Sequence, residues 1–140
     1  MDLGIKGKTA LVTASSGGMG RNIAHALAAE GANVVLFARS EDKLAAVANE
    51  ITREHGVRAV TKAGDMRIGS DVAALVEVVK AEFGGLDIVV LNTARPPNPI
   101  RETTEEVDMA RWDEAYQNQL AGVLQVVSQT IPLITTRGWG

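Results

Sequence analysis

Between Thr9 and Gly20 the chain reads TALVTASSGGMG: a short apolar run, a turn of small residues that closes on glycine, and then the start of a helical pattern. Ala10, Leu11 and Val12 are too few for a helix, and an apolar run without alternation suits a strand buried on both faces, as in a parallel sheet. Ser15, Ser16, Gly17, Gly18 and Gly20 follow with almost no side-chain bulk. A ligand's diphosphate can lie directly against backbone N–H groups in such a loop. A helix beginning near Met19 adds its unpaired first-turn donors and the positive end of its dipole. The stretch therefore reads as a phosphate cradle made of main chain, suited to a nucleotide cofactor. The same glycines also suit a merely tight strand-to-helix corner, so the rest of the chain has to decide.

It does so by repetition. Ile23, Ala24, Leu27 and Ala28 recur at helical spacing up to Gly31, and Asn33 to Ala38 (NVVLFA) is a second unalternated apolar run. Arg39 and Ser40 follow, with Ser40 expected to cap a helix whose stripe is Leu44, Val47, Ala48 and Ile51 and whose end is Gly56. Val57 to Ala63 reads as a third strand. A loop at Asp65, Met66 and Arg67 comes next, then a helix capped by Ser70 and lined by Val72, Leu75, Val76, Val79 and Phe83. Gly84 and Gly85 end it, and Ile88 to Leu91 is a fourth strand. Strand alternating with helix over short connections predicts βαβ units in a parallel sheet. Ligands are then expected at the carboxyl ends of the strands, where the glycine loop, Arg39, Asp65 and Asn92 converge.

Beyond Asn92, Pro96, Pro97 and Pro99 exclude regular structure, and the irregular loop is expected to run to Thr103. Thr103 with Glu106 fits a capping box, which makes the acidic group Glu102, Glu105, Glu106 and Asp108 a helix start. The long helix that follows carries Tyr116, Leu120, Val123, Leu124, Val127, Ile131 and Ile134, with Pro132 bending its last turns. Its apolar residues cover more than one face, so a subunit interface is expected over residues 112–136. Ala115 to Thr136 lacks charge but holds four glutamines, one asparagine and Pro132, too polar for a lipid-spanning helix.

Composition narrows the classes. With 140 residues the chain is expected to be one domain, residues 1–140, without repeats or linkers. Its 46% hydrophobic and 22% charged content is that of a globular chain. A net charge of −3 without a Lys/Arg run gives no general attraction to nucleic acid or to an anionic membrane. There is no cysteine, and His25 and His55 read as separate helix-surface residues, so no metal site is expected. The start, MDLGIKGK, lacks the apolar core of a secretory signal, which favours the cytoplasm.

These residues resemble the short-chain dehydrogenase/reductase family, and within it reductases similar to 3-oxoacyl-acyl-carrier-protein reductase. Thr13, Gly18 and Gly20 match the family's Thr-Gly-x-x-x-Gly-x-Gly loop, with Ala14 where the first glycine usually stands. Asp65 lies where the family's aspartate meets the adenine, Leu91, Asn92, Thr93 and Ala94 lie over its Asn-Asn-Ala-Gly element, and Trp112 fits its pattern. The resemblance implies a Rossmann-type doubly wound parallel sheet, a three-layer α/β/α fold that here stops before a fifth strand. It also implies hydride transfer at a carbonyl or alcohol carbon. The cofactor contacts it implies are Thr13, Ser15, Ser16, Gly18, Met19, Gly20, Arg39, Ser40, Asp65, Met66, Asn92, Thr93 and Ala94. An NAD site places a carboxylate about 20 residues after the loop to hold the ribose 2′-hydroxyl. Arg39 stands there, and its fork suits a 2′-phosphate, so NADP is expected over NAD.

The family's chemistry is done by Ser, Tyr and Lys, the last two spaced Tyr-x-x-x-Lys, with an Asn in the long helix. Here the single tyrosine, Tyr116, is followed four residues later by Leu120, and no lysine occurs after Lys80. Gln119 fills the helical Asn position, and Asn118 is expected to point about 100° away from it. Arg95 brings bulk and charge towards the nicotinamide. No catalytic residue is therefore expected in this chain. Three readings stay open: the cofactor-holding portion of an NADP-dependent oxidoreductase, a non-catalytic dinucleotide-binding module, and an interaction protein that has kept the fold without the ligand.

Overall fold

The computed structural model describes residues 2–93 and 99–140. Four strands form one parallel sheet: β1 (Thr9–Thr13), β2 (Asn33–Ala38), β3 (Ala59–Ala63) and β4 (Ile88–Val90), in the order β3-β2-β1-β4. The opening strand is thus interior. Leu11 is in register with Val35 on one side and Val89 on the other. The order reverses at β1, and this is where ligands of open α/β sheets bind.

Period-2 alternation in the central strands explains the layering. Leu11, Val35 and Phe37 face α3 (Gly69–Phe83) and the last helix, packing with Val72, Leu75, Val79, Val126 and Leu133. Val12, Val34, Leu36 and Ala38 point the other way, onto Ala24 and Ala28 of α1 (Gly18–Ala29) and Leu44, Val47 and Ile51 of α2 (Glu41–His55). Both sheet faces are covered, which is why β1 and β2 read as unbroken apolar runs. α2 and α3 end where glycine was expected, with Gly56 and Gly84 in the left-handed conformation.

Several local expectations are corrected. β3 is shorter than Val57–Ala63, and β4 stops at Val90 rather than Leu91. Ser40 holds the N-cap position of α2, but its side chain makes no capping bond. Ser70 lies inside α3, whose N-cap is Ile68; Asp71 reaches back instead to accept the Asp65 N–H at 2.8 Å. The capping box at Thr103 and Glu106 is not formed. Residues 102–106 make a turn through Glu105 and Glu106 N–H bonds to the Glu102 carbonyl, and Arg111 takes the Glu106 carboxylate. α4 (Met109–Tyr116) starts later, capped by Asp108, which accepts from the Ala110 N–H at 2.9 Å.

The long helix is not uniform. α4 leads into a π turn at Gln117–Ala121 and then α5 (Gly122–Thr135), which continues through Pro132. His25 and His55 are not separate: their rings meet across the α1–α2 contact, Nδ1 to Nε2 at 3.2 Å, beside Glu54. This overturns the expectation of two isolated histidines. Arg95, Pro96, Pro97 and Ala94 lie outside the described residues. Among the described residues, no helix is long and apolar enough to cross a membrane.

Candidate functional site

At the carboxyl end of the sheet the turn after β1, the ends of β2 and β3, the loop after β4 and the π turn enclose a cavity of about 880 Å³, within the usual range of about 300–1,000 Å³ for cofactor sites. Small residues of the turn, Ala14, Ser16, Gly17 and Gly18, form part of its lining. Gly17 and Gly18 border it, and a Cβ built on either meets nothing within 4 Å, so that side of the turn is open. Among the described residues no side chain caps the start of α1, and the first-turn N–H groups of a helix have no partner within it. Gly20 has a different role. A Cβ there would fall 2.4 Å from the Ala14 carbonyl oxygen, so only glycine lets α1 approach the end of β1.

Of the predicted contacts, Ser16, Gly18, Met19, Arg39, Ser40, Asp65, Met66, Asn92 and Thr93 border the cavity. Thr13, Ser15 and Gly20 do not; they stand behind the wall and shape it. Buried Ser15 accepts the Phe37 N–H on its Oγ at 3.0 Å, which ties the turn to β2. Thr13 Oγ1 donates to the Asn92 carbonyl at 2.6 Å and accepts the Asn92 N–H at 2.9 Å, which ties β1 to the loop after β4. Asn92 Nδ2 in turn reaches the Ala14 carbonyl at 3.4 Å. Ala14 itself has φ +48°, a left-handed conformation that accounts for a glycine at this place in the family pattern.

The charged rim has two parts. Arg39 is exposed beyond β2, and no hydrogen bond or salt bridge holds its guanidinium among the described residues. Lys43, one turn into α2, shares this rim and was not anticipated; its spacing of three from Ser40 is the signal that could have found it. Asp65 is already engaged, receiving Arg67 Nη2 at 2.6 Å and Nε and the backbone N–H at about 3 Å. The Arg67 guanidinium holds the Asp65 carboxyl below the ordinary carboxylate range, against a smaller opposing effect of burial. It is therefore a carboxylate at neutral pH.

On the far wall Asn118 borders the cavity and Gln119 is exposed, the reverse of the expectation from regular helical geometry. The π turn is the reason: it widens one turn of the helix at residues 117–121 and changes which side chain faces the sheet. Gly122 makes room for this, since a Cβ there would lie 2.8 Å from Met66 Cγ and 3.1 Å from the Gln117 carbonyl. Tyr116 is about half exposed and is not part of the cavity wall.

An interior first strand, a glycine turn at the point where the strand order reverses and helices on both faces define a Rossmann-type α/β protein. The short chain dehydrogenase family model matches residues 8–140, and the chain belongs to that family. It is 33% identical over 126 residues to the 3-oxoacyl-[acyl-carrier-protein] reductase FabG of Staphylococcus epidermidis, covering 89% of this chain and 50% of the relative. Among solved structures it is similar to L-sorbose reductase from Gluconobacter frateurii complexed with NADPH and L-sorbose, at 36% identity and a TM-score of 0.89, covering 99% of this chain and 51% of that one. An alcohol dehydrogenase from the archaeon Thermococcus sibiricus complexed with 5-hydroxy-NADP is 28% identical, with a TM-score of 0.87, covering 96% of this chain and 56% of that one. The chain spans about half the length of the relatives it matches.

Proposed function

We propose that this chain binds NADPH in the cavity at the end of β1 and forms the cofactor-holding portion of a short-chain oxidoreductase acting on a carbonyl of the 3-oxoacyl-reductase type. The observation that carries the reading is the pairing of the glycine corner with Arg39 just past β2, an exposed guanidinium held by no hydrogen bond or salt bridge among the described residues. The residues fit the group. Gly17, Gly18 and the first N–H groups of α1 take the diphosphate, Arg39 and Lys43 take the 2′-phosphate, and Asp65 with Met66 borders the adenine. Asn92, Thr93 and Asn118 also line the cavity. NADPH supplies a hydride when bound; the chain's own part is to bind and orient it. The matched structures with NADPH and 5-hydroxy-NADP support this choice of cofactor.

No Tyr-x-x-x-Lys pair occurs in the sequence, and Tyr116 lies outside the cavity. This favours the second reading for the chain by itself, a dinucleotide-binding module without turnover. Fluorescence titration with NADPH and NADH tests both. A charge-assisted contact from Arg39 is worth about 1.5–3 kcal/mol, roughly ten- to a hundredfold in favour of NADPH, and Arg39→Asp should invert the order. Equal affinities in the parent chain would remove the NADPH assignment. Reduction of a generic ketone by the chain alone should stay at background, and clear turnover would show that a proton donor is present after all.

A further inference from the structure

The histidine pair on the outer surface of α1 and α2 stands apart from the cavity and is used by nothing above. His25 lies two turns into α1, and Glu54 and His55 close α2. His25 Nδ1 is 3.2 Å from His55 Nε2 and 3.5 Å from Glu54 Oε2, and the three donor atoms all lie within 4.8 Å of one another. A tetrahedral zinc-class ion with bonds of about 2.0–2.1 Å holds its ligands about 3.3–3.4 Å apart. The two measured separations fall on either side of that edge length. The ring planes are inclined at 76° with centroids 5.4 Å apart, and the closest approach is between the two nitrogens.

A second observation concerns the other nitrogen of His25. Among the described residues Nε2 is buried without a hydrogen-bond partner, yet it lies 3.6 Å from Glu50 Oε2, and that carboxylate is held by Arg21 at 2.6 and 3.0 Å. The Nε2 proton of a ring metallated at Nδ1 would face the Glu50 carboxylate. The lone pair of Nδ1 then points at His55 and Glu54. Carboxylate, histidine and a vacant lone pair in that order are the arrangement that supports a metal-bound imidazole.

We propose that His25 Nδ1, His55 Nε2 and the Glu54 carboxylate bind one divalent transition ion of the zinc class, with water completing the tetrahedron, and that the ion staples α1 to α2. Glu50 is a positioning residue: it touches His25 and not the ion. The test is calorimetric titration of the tag-free full chain with Zn²⁺, with Co²⁺ as the optical probe and ring ¹⁵N NMR to identify the ligating nitrogens. One ion per chain is expected, with a tetrahedral Co²⁺ visible spectrum and metal shifts at Nδ1 of His25 and Nε2 of His55. His55→Gln and Glu54→Gln should weaken binding by more than Glu50→Gln, whose effect should be about 10–100-fold. Circular dichroism checks folding; should His25→Gln unfold, the ring nitrogen shifts of the parent chain still decide. No saturable binding, binding indifferent to His55→Gln, or spectra showing only a proton shared between the rings would overturn the proposal.

Discussion

At the scale of single residues, the turn after β1 carries both a strain and a constraint. Ala14 adopts a left-handed conformation at φ +48°, which costs an L-residue about 1–2 kcal/mol relative to glycine. Ala14→Gly should therefore raise stability, by about 1 kcal/mol once the extra freedom of glycine in the unfolded chain is set against the relief; thermal unfolding measures it, and a lower Tm would show that the strain is absent. Gly20→Ala should do the opposite, because its Cβ would meet main chain rather than a yielding side chain. A loss of about 1–3 kcal/mol is expected from such overpacking, together with weakened cofactor binding as α1 moves off β1. Asp65 sets a pH dependence. Its folded pKa is depressed by Arg67, so its contribution is complete above the ordinary carboxylate pKa and is lost as pH falls through the folded value. Acid titration of the parent and of Asp65→Asn should diverge at neutral pH and converge in acid.

At the scale of elements, the ties between loops matter more than any one helix. Asp87, almost fully buried ahead of β4, accepts the Thr9 N–H at 2.8 Å and Arg137 Nη1 at 2.9 Å on the same oxygen. Asp87→Ala leaves a buried N–H and a guanidinium without their partner and should cost about 3 kcal/mol in urea unfolding; a change within error would mean that water replaces the carboxylate. The strand–helix alternation was legible because β1 and β2 are covered on both faces and so carry polar residues only at their ends, Thr9, Thr13 and Asn33. Gly56 and Gly84 were legible because a left-handed cap has a residue preference. The π turn was not, since nothing in QNQLA departs from helical spacing, and the exchange of Asn118 for Gln119 followed from it. The start of α4 was misread for a related reason: Thr103 and Glu106 carry a capping pattern, but Glu106 is claimed by Arg111, a contact between neighbouring segments that no local pattern reports. The His25–His55 pair was missed because it depends on α1 and α2 lying side by side.

At the scale of the whole molecule, two apolar surfaces stay uncovered. Trp112, Tyr116, Leu120, Leu124 and Ile131 are all 40% or more exposed along the α4–α5 rod. Beside the outer edge of β4, Ile88, Val89, Leu91, Val127, Ile131 and Ile134 line a groove of about 360 Å³. β4 is a margin of the sheet, and an exposed parallel edge with apolar flanks favours association. Self-association through residues 112–136 is the expected outcome: sedimentation should show an oligomer, and Leu124→Glu should shift it towards monomer without loss of helical content. A monomeric parent chain would remove that expectation.

The most direct measurement concerns the glycine corner itself, where main-chain amides are assigned the diphosphate. Backbone ¹H–¹⁵N spectra recorded during titration with NADPH should show the largest saturable shifts at Gly18, Met19 and Gly20, with smaller ones at Arg39 and Asp65. Shifts confined to other surfaces, or none at saturating ligand, would contradict the account.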